Sequence, residues 1–253
     1  MDGSAHVPRL WVPGLLAAVR DLIVPRGCAG CDCPDEVLCP ACAALFRQYR
    51  SFPAAGFVWG SGLACAGYQG RARRAILEWK DHDDEEVTRP LGRAMGELAV
   101  QSLERAWTGN LGPVPSQVLI VPAPSSSKSV RRRGRVHMPP VAGAAAASLR
   151  QAGLPAQVQL ALIMGSVRGK SVELHGSSAR ASRLSGRIHT RAGIELTGQS
   201  VILVDDIVTS GSTIRQCAAA LRTAGAYPLT ALALARAGRG SDPSRAVEPV
   251  PVI

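Results

Sequence analysis

The sequence contains no hydrophobic stretch long enough to cross a membrane, which takes about 20 consecutive apolar residues. The most apolar stretch near its start, residues 10–24, is broken by Pro13 and Gly14 and carries Arg20 and Asp21. The same stretch lacks the basic beginning and the cleavage site of a secretory signal peptide. We therefore expect an amphipathic helix there, no contact with membranes and a location in the cytoplasm.

Aromatic residues are also scarce, at 4% of the 253 residues, whereas hydrophobic residues make up 46%. Because alanine is frequent, this composition favours helices packed on a sheet. Acidic residues are outnumbered, with 19 Asp and Glu against 29 Lys and Arg, and the formal net charge is +10. Such a basic surface suits a polyphosphate substrate, a nucleic acid or solubility alone.

The most informative segment, residues 201–213, reads VILVDDIVTSGST. Its apolar run predicts a strand buried on both faces of a parallel sheet, with Asp205 and Asp206 at the end of that strand. Ligands of open α/β sheets bind at this end. Gly211 lets the backbone approach an anion, and the first amides of the following helix have no partners within the helix. The ligand predicted is a ribose 5-phosphate, with its hydroxyls or a hydrated Mg²⁺ at the acids.

An apolar strand that ends in aspartate also occurs in the Walker B element of phosphate-loop NTPases. Such a protein needs the sequence G-x-x-x-x-G-K-[ST] upstream. The segment from Gly165 to Ser171 comes close, but its spacing is one residue short, and Met164 stands where the first glycine is required. We therefore favour a solvated loop at residues 169–171 and keep the NTPase as the rival interpretation.

The thirteen residues closely resemble the phosphoribosyl-pyrophosphate motif of type I phosphoribosyltransferases. The resemblance implies that Asp205 and Asp206 are the catalytic acids and hold the ribose hydroxyls. It also implies that the loop after them binds the 5′-phosphate, through Thr209, Ser210, Gly211, Ser212 and Thr213.

Five of the seven cysteines lie close together near the start of the chain. Cys28 and Cys31 form one C-x-x-C pair, and Cys39 and Cys42 form another. Two such pairs present four thiolates to a tetrahedral Zn²⁺, so we predict a structural zinc site. The ligand set stays open at Cys33, which could replace Cys31 or remain free. The alternative is a group of reduced cysteines in a turn-rich segment.

The pattern of apolar segments divides the chain into three parts. We predict a helix and cysteine module at residues 1–55, a phosphoribosyltransferase-like domain at 56–237 and a disordered tail at 238–253. Strands alternate with helices, which predicts an α/β fold with a parallel, doubly wound sheet. The predicted strands are 57–68, 118–121, 158–164, 201–206 and 229–235. The predicted helices are 70–80, 91–107, 138–152, 177–184 and 212–224, and the acidic cluster 81–86 is expected to be an exposed turn.

Along nearly its whole length the chain resembles the ComF family of phosphoribosyltransferase-like proteins, which carry an N-terminal cysteine module. The family's Tyr…Arg…Leu-x-x-Lys stretch is matched by Tyr68, Arg74 and Lys80. Its Val-Pro-x-Pro turn is matched at residues 121–124, and its Arg-Arg-Gly run at 132–134.

The chain departs from the family pattern at several positions. Arg135, Val136 and His137 stand where Phe-Asn-Gln is common, and Ser171 and Arg183 stand where Gln and Asn are common. These differences leave open whether the chain is catalytic. His137 is the nearest candidate for a general base, although we interpret it as a solvated loop residue.

The resemblance implies an enzyme that binds phosphoribosyl pyrophosphate with Mg²⁺ and transfers the phosphoribosyl group to an acceptor, releasing pyrophosphate. The turn after the strand at 118–121 would bind the pyrophosphate, and the arginine run after it would close as a lid. The residues concerned are Ala123, Pro124, Ser125, Arg131, Arg132 and Arg133. The alternative for the arginines is a flexible basic loop. The acceptor and the oligomeric state are not predicted.

A second class of function is also implied, because ComF relatives are linked to DNA uptake and transformation. The chain would then bind single-stranded DNA without catalysis, through basic clusters and stacking aromatic residues. Phe57, Trp59 and Tyr68 are the aromatic residues near the first arginine cluster, which begins at Arg71.

Overall fold

The computed structural model describes residues 26–81, 84–109, 111–112, 115–165 and 188–238. Three predicted features lie outside these residues: the helix at 10–24, the helix at 177–184 and the loop at 169–171. The predicted tail lies outside them from residue 239 onward. Within the described ranges, every helix is too short or too polar to cross a membrane.

A six-stranded sheet forms the centre of the described structure. Its strands are β1 (Arg50–Pro53), β2 (Ser61–Gly67), β3 (Val118–Pro122), β4 (Ala156–Val158), β7 (Ser200–Val208) and β8 (Tyr227–Arg236). A separate antiparallel pair consists of β5 (Leu162–Met164) and β6 (Ile188–Thr190). The order in the main sheet is β1-β2-β8-β7-β3-β4. Only the edge pair β1–β2 is antiparallel, so the predicted α/β class with a parallel sheet is confirmed.

The helices cover both faces of the sheet. They are α1 (Pro40–Ala44), α2 (Gly70–Asp81), α3 (Thr88–Thr108), α4 (Ser127–Arg133), α5 (Met138–Gln151) and α6 (Ser212–Thr223), with 3₁₀ turns at Leu45–Arg47 and Glu85–Val87. On β7, Ile202 and Val204 pack into the core under α2, α3 and α5. Val201 and Leu203 pack into the opposite core, under α6. This alternation explains the uninterrupted apolar run of the motif strand.

Helices α3 and α5 pack closely because α3 carries two glycines at the contact. A Cβ on Gly96 would lie 2.2 Å from Oγ of Ser148, and one on Gly92 would lie 3.0 Å from the Cβ of Ala144. Any larger side chain at Gly96 would force the helices apart. The two helices therefore form a firm layer behind the sheet.

Two predicted strands differ from the structure. The segment 158–164 divides between β4 and β5, because the amide of Ala161 turns back to the carbonyl of Gln159. The strand predicted from residue 57 begins at Ser61, because residues 57–60 form a turn in which Gly60 donates to the carbonyl of Phe57. The segment 158–164 gave little sign of its break, whereas Gly60, where the second turn ends, was a turn signal in the sequence.

The cysteine segment packs against the same face of the sheet as α2 and α3. Cys28, Cys42 and Phe46 are buried in one apolar cluster with Trp79 of α2. Strand β1, which lies within the predicted N-terminal module, is the antiparallel edge of the main sheet.

Candidate active site

The two motif acids lie inside β7, because its pairing with β8 continues to Val208. Both are buried, with 9% of Asp205 and 8% of Asp206 exposed. Their position within the strand differs from the predicted position at its end. Pairing with β8 therefore holds the backbone at the acids, whereas pairing with β3 ends at Val204, one residue before them.

Asp206 has three partners in the described structure. Its Oδ2 accepts a hydrogen bond of 2.8 Å from Nε2 of His137 and forms an ion pair with the ammonium of Lys80. Its Oδ1 accepts a bond of 2.7 Å from the amide of Ile207. The neighbouring Asp205 accepts the amide of Asp206 at 2.9 Å. The side chains that hold Asp206 come from the end of α2 and from the residue before α5.

His137 is buried, with 2% of its surface exposed, so its interpretation as a solvated loop residue was wrong. Its Nδ1 lies 3.3 Å from Nη1 of Arg133. Since arginine only donates, Nδ1 accepts, and the proton lies on Nε2, which donates to Asp206. The ring meets Trp79 edge-on, with centroids 4.8 Å apart. Asp206, which accepts the hydrogen bond from His137, is 69 residues away along the chain, so nothing in the local sequence indicated that His137 is buried.

The two acids differ in protonation. Burial, helped by the negative charge of Asp206, raises the pKa of Asp205 to about 8. Burial also acts to raise the pKa of Asp206, but the hydrogen bond from His137 and the charge of Lys80 outweigh it and lower that pKa to about 2. Near neutral pH one carboxyl therefore carries a proton while its neighbour is ionised.

The loop at residues 209–213 connects β7 to α6. Gly211 has φ of +71° and caps α6 in the left-handed conformation, which few other residues adopt. The amide of Ser212 lies 3.4 Å from Oγ of Ser210, and Nη1 of Arg215 donates to the carbonyl of Ser210 at 3.0 Å. Arg215 was not among the predicted site residues. It lies four residues after Gly211 and so returns to the loop after one helical turn.

The predicted pyrophosphate turn lies beside the acids. It follows β3, the direct neighbour of β7, and the amide of Ala123 donates to the carbonyl of Val204 at 2.8 Å. The next residue, Ser126, caps α4 by accepting the amide of Ser129 at 3.1 Å. The turn thus leads directly into the capped start of α4.

The arginine run forms the end of α4 rather than a flexible loop, and its members diverge. Arg133 points inward, and only 8% of its side chain is exposed. Arg132 pairs at 2.7 Å with Asp81 at the end of α2. Arg131 is exposed. The structure therefore brings one of the three predicted lid residues to the acids.

These elements enclose a cavity of about 260 Å³. It brings together the acids, the turn at 123–125, Arg133 and one residue of the motif loop, Thr213. The other four loop residues lie outside its lining. The full lining is Lys80, Ala123, Pro124, Ser125, Ser126, Ser129, Arg133, His137, Met138, Met164, Asp205, Asp206, Ile207 and Thr213. Lys80 matches the family pattern but was not among the predicted site residues.

The cysteines form a second cluster. The sulfurs of Cys28, Cys31, Cys39 and Cys42 all lie within 4.8 Å of one another. Those of Cys31 and Cys39 are 3.6 Å apart, close to the roughly 3.8 Å that tetrahedral Zn–S bonds of about 2.3 Å impose. The Cys28 sulfur also lies 3.3 Å from the amide of Cys39, as a metal-bound thiolate would. The donor set fits zinc, with Cys33 outside it.

The aromatic residues invoked for nucleic-acid binding do not form a stacking surface. Phe57 and Trp59 are each 6% exposed. The guanidinium of Arg73 lies over the ring of the half-buried Tyr68, 5.8 Å from its centroid. Phe57 and Trp59 therefore offer no open face on which a base could stack.

Comparison with known proteins identifies the region that contains the motif. Residues 140–249 match the family described as phosphoribosyl transferase domain. The orotate phosphoribosyltransferase of Xanthomonas axonopodis pv. citri (strain 306) is 34% identical over 94 residues, which are 37% of this chain and 42% of that protein. The chain thus spans about two fifths of the length of this curated relative. The matched family region begins at Pro140 and includes β7, the motif loop and α6.

Solved structures are similar to the chain at lower identity. The glutamine phosphoribosylpyrophosphate amidotransferase of B. subtilis is 21% identical, with a TM-score of 0.32, over 56% of this chain and 26% of that chain. The hypoxanthine phosphoribosyl transferase of Trypanosoma cruzi is 16% identical, with a TM-score of 0.35, over 61% of this chain and 71% of that chain.

Proposed function

We propose that the chain is a phosphoribosyltransferase that binds phosphoribosyl pyrophosphate with Mg²⁺ and transfers its phosphoribosyl group to an acceptor. One observation carries the proposal. The acids of β7 lie between the loop that follows β7 and the turn that follows the adjacent strand β3. Phosphoribosyl pyrophosphate carries its groups in the same order, with the ribose hydroxyls between the 5′-phosphate and the pyrophosphate.

Each part of the substrate has a partner of suitable chemistry. The 5′-phosphate lies on the loop at 209–213, where α6 offers open amides and the positive end of its dipole. The ribose hydroxyls face Asp205 and Asp206. The pyrophosphate lies against the turn at 123–125 and the buried guanidinium of Arg133, which matches phosphate oxygens in geometry and charge.

The reaction exchanges one bond at the ribose C1. The bond from C1 to the pyrophosphate oxygen breaks, and the leaving pyrophosphate keeps the electron pair. A nitrogen of the acceptor bonds to C1, and its proton passes to the released pyrophosphate. Positive charge builds on the sugar, as in other glycosyl transfers, and the ionised Asp206 stabilises it. Magnesium, bound with the substrate, neutralises charge on the pyrophosphate.

We also propose that Cys28, Cys31, Cys39 and Cys42 hold one structural zinc. All four positions of the metal are then occupied by protein sulfurs, so this zinc takes no part in the transfer.

The proposal predicts a specific loss in Asp206→Asn. Replacing a charged acceptor by an amide should weaken binding of ribose 5-phosphate about 10-fold or more, since a hydrogen bond to a charged group contributes about 1.5–3 kcal/mol. Isothermal calorimetry with ribose 5-phosphate, and separately with phosphoribosyl pyrophosphate and Mg²⁺, measures both affinities. Glu195 is an exposed acid outside the cavity lining, so Glu195→Gln is the control and should bind as the wild type does.

Equal affinity of wild type and Asp206→Asn for ribose 5-phosphate, or no binding of phosphoribosyl pyrophosphate by the wild type, would contradict the proposal. A pyrophosphate-release assay across purine, pyrimidine and nicotinate-like acceptors then identifies the acceptor. Orotate is the first to test, because the relative at 34% identity is named for it.

A further inference from the structure

Asp206 is already engaged by protein donors on the side that faces the cavity. Its Oδ2 receives both the Nε2–H of His137 and the ammonium of Lys80. A carboxylate oxygen has about two lone-pair sites, so these two donors fill it. A ribose hydroxyl can bond to this oxygen only after one of the two donors has left.

The two donors differ in their freedom to move. Only 3% of the His137 side chain is exposed, and Arg133 and Trp79 hold its ring from two sides. Lys80 has 18% of its side chain exposed and carries its charge on a flexible four-carbon stem. Lys80 is therefore the donor that can leave while the histidine stays.

The cavity offers Lys80 another partner once an anion enters. Arg133 also lines it, and the Nε of that arginine is buried without a hydrogen bond, 3.4 Å from the carboxylate of Asp81. Two cations and one ionised acid thus face the cavity, since Asp205 is held in its neutral form. The excess positive charge favours a ligand with several negative charges.

We propose that Lys80 exchanges partners when the substrate binds, leaving Asp206 for the ribose and moving to the pyrophosphate. The inference rests on the proposed function and assigns to Lys80 a contact with the leaving group. Binding of the two halves of the substrate is then coupled. Pyrophosphate draws Lys80 away and frees Asp206, and by linkage ribose 5-phosphate favours pyrophosphate to the same degree.

The proposal predicts opposite effects on the two halves in Lys80→Met. Inorganic pyrophosphate with Mg²⁺ should bind at least about 10-fold more weakly, because its charged partner is gone. Ribose 5-phosphate should bind as well as to the wild type or better, because Asp206 is free. In the wild type, each ligand should increase the affinity for the other, and in Lys80→Met this coupling should disappear. Calorimetry with each ligand alone and in the presence of the other measures all of these quantities.

Two further variants complete the experiment. Arg71→Met removes a cation from the exposed beginning of the same helix and should leave both affinities unchanged. Lys80→Gln removes the charge but keeps a polar side chain, and it must change both affinities in the same directions as Lys80→Met. It carries the test alone if the methionine variant does not fold by circular dichroism.

Unchanged pyrophosphate affinity in the Lys80 variants, or an equal loss for both ligands, would overturn the exchange. Failure of the wild type to bind ribose 5-phosphate and phosphoribosyl pyrophosphate would instead overturn the proposed function. The two failures are therefore distinguishable within one set of titrations.

Discussion

The loop at residues 209–213 and the opposite, cationic end of the cavity are built differently. The loop is a single segment in which Thr209, Ser210 and Ser212 are exposed, and it would attract an anion through backbone amides and a helix dipole. The cationic end gathers Lys80 and Arg133 from two separate helices. Their charges are buried or partly buried and already face the carboxylates of Asp206 and Asp81.

This difference predicts different responses to a ligand. The loop needs little rearrangement, because its open donors are not satisfied by other side-chain charges. The cationic end must break existing ion pairs before it binds anything. Removing one partner of a buried pair costs about 3–5 kcal/mol, because the other charge is left without compensation. Changes at this end should therefore affect stability and binding together, whereas changes in the loop should affect mainly phosphate binding.

The largest effect on stability should come from changes in the cysteine module, which packs against α2, the helix that carries Lys80. Asp32 of the module pairs with Arg74 of α2, and Lys80 lies near the end of that helix. Cys42→Ser should abolish zinc binding and destabilise the fold by several kcal/mol, since metal binding to such modules contributes on the order of 10 kcal/mol. Elemental analysis and thermal unfolding measure both results, and pyrophosphate binding should weaken more than ribose 5-phosphate binding.

Cys217→Ser is the matched control for this change. Cys217 is equally buried but lies in the opposite core, under α6, so its replacement should leave the zinc content unchanged. A zinc content well below one atom per chain in the wild type would contradict the proposed metal site. If Cys42→Ser weakens the binding of pyrophosphate and of ribose 5-phosphate equally, the module does not act specifically on the cationic end.

A smaller effect, confined to the other end of the cavity, is expected from Gly211→Val. Its φ of +71° is unfavourable for valine, and a Cβ there would lie 3.4 Å from the guanidinium of Arg215. Ribose 5-phosphate should bind about 10- to 100-fold more weakly, since moving the loop backbone by a fraction of an ångström misaligns several donors at once. Pyrophosphate binding should stay the same in calorimetric titrations.

Gly193→Val separates this effect from general strain. Gly193 has a similar φ of +77° on an exposed turn, with no atom within 4 Å of an added Cβ. Both variants should lose about 1–2 kcal/mol of stability from the left-handed backbone. If Gly193→Val weakens ribose 5-phosphate as much as Gly211→Val does, the loop is not the phosphate site.

The same contrast explains which parts of the site could be predicted from the sequence. The motif loop and the two C-x-x-C pairs are short segments, so their spacing alone singled out candidate residues. The grouping of the four cysteines is confirmed, and phosphate binding by the loop stays a prediction. His137 and Lys80 could not be placed, because each meets Asp206 only through the packing of a helix on the sheet. Helix α4 was missed because a run of arginines has no apolar face to reveal its period.

The smallest effect concerns the protonation of Asp205, which burial and the negative charge of Asp206 favour. Its raised pKa means that the folded state keeps a proton that the unfolded chain has released by about pH 5. This contribution to stability is therefore present at low pH and is lost as the pH rises toward about 8. Compared with Asp205→Asn, the wild type should lose about 1 kcal/mol between pH 6 and 7, since one proton corresponds to about 1.4 kcal/mol per pH unit.

Denaturant unfolding of both proteins at several pH values measures this difference, and Glu195→Gln supplies a control of opposite sign. A hydrogen bond from Thr197 lowers the pKa of Glu195, so its contribution is present at neutral pH and is lost on acidification through its folded pKa. The difference between wild type and Glu195→Gln should therefore be flat between pH 6 and 7. An equally flat difference for Asp205→Asn would mean that Asp205 is ionised at neutral pH. The cavity would then hold two negative charges against its two cations, and the excess positive charge that favours pyrophosphate would be absent.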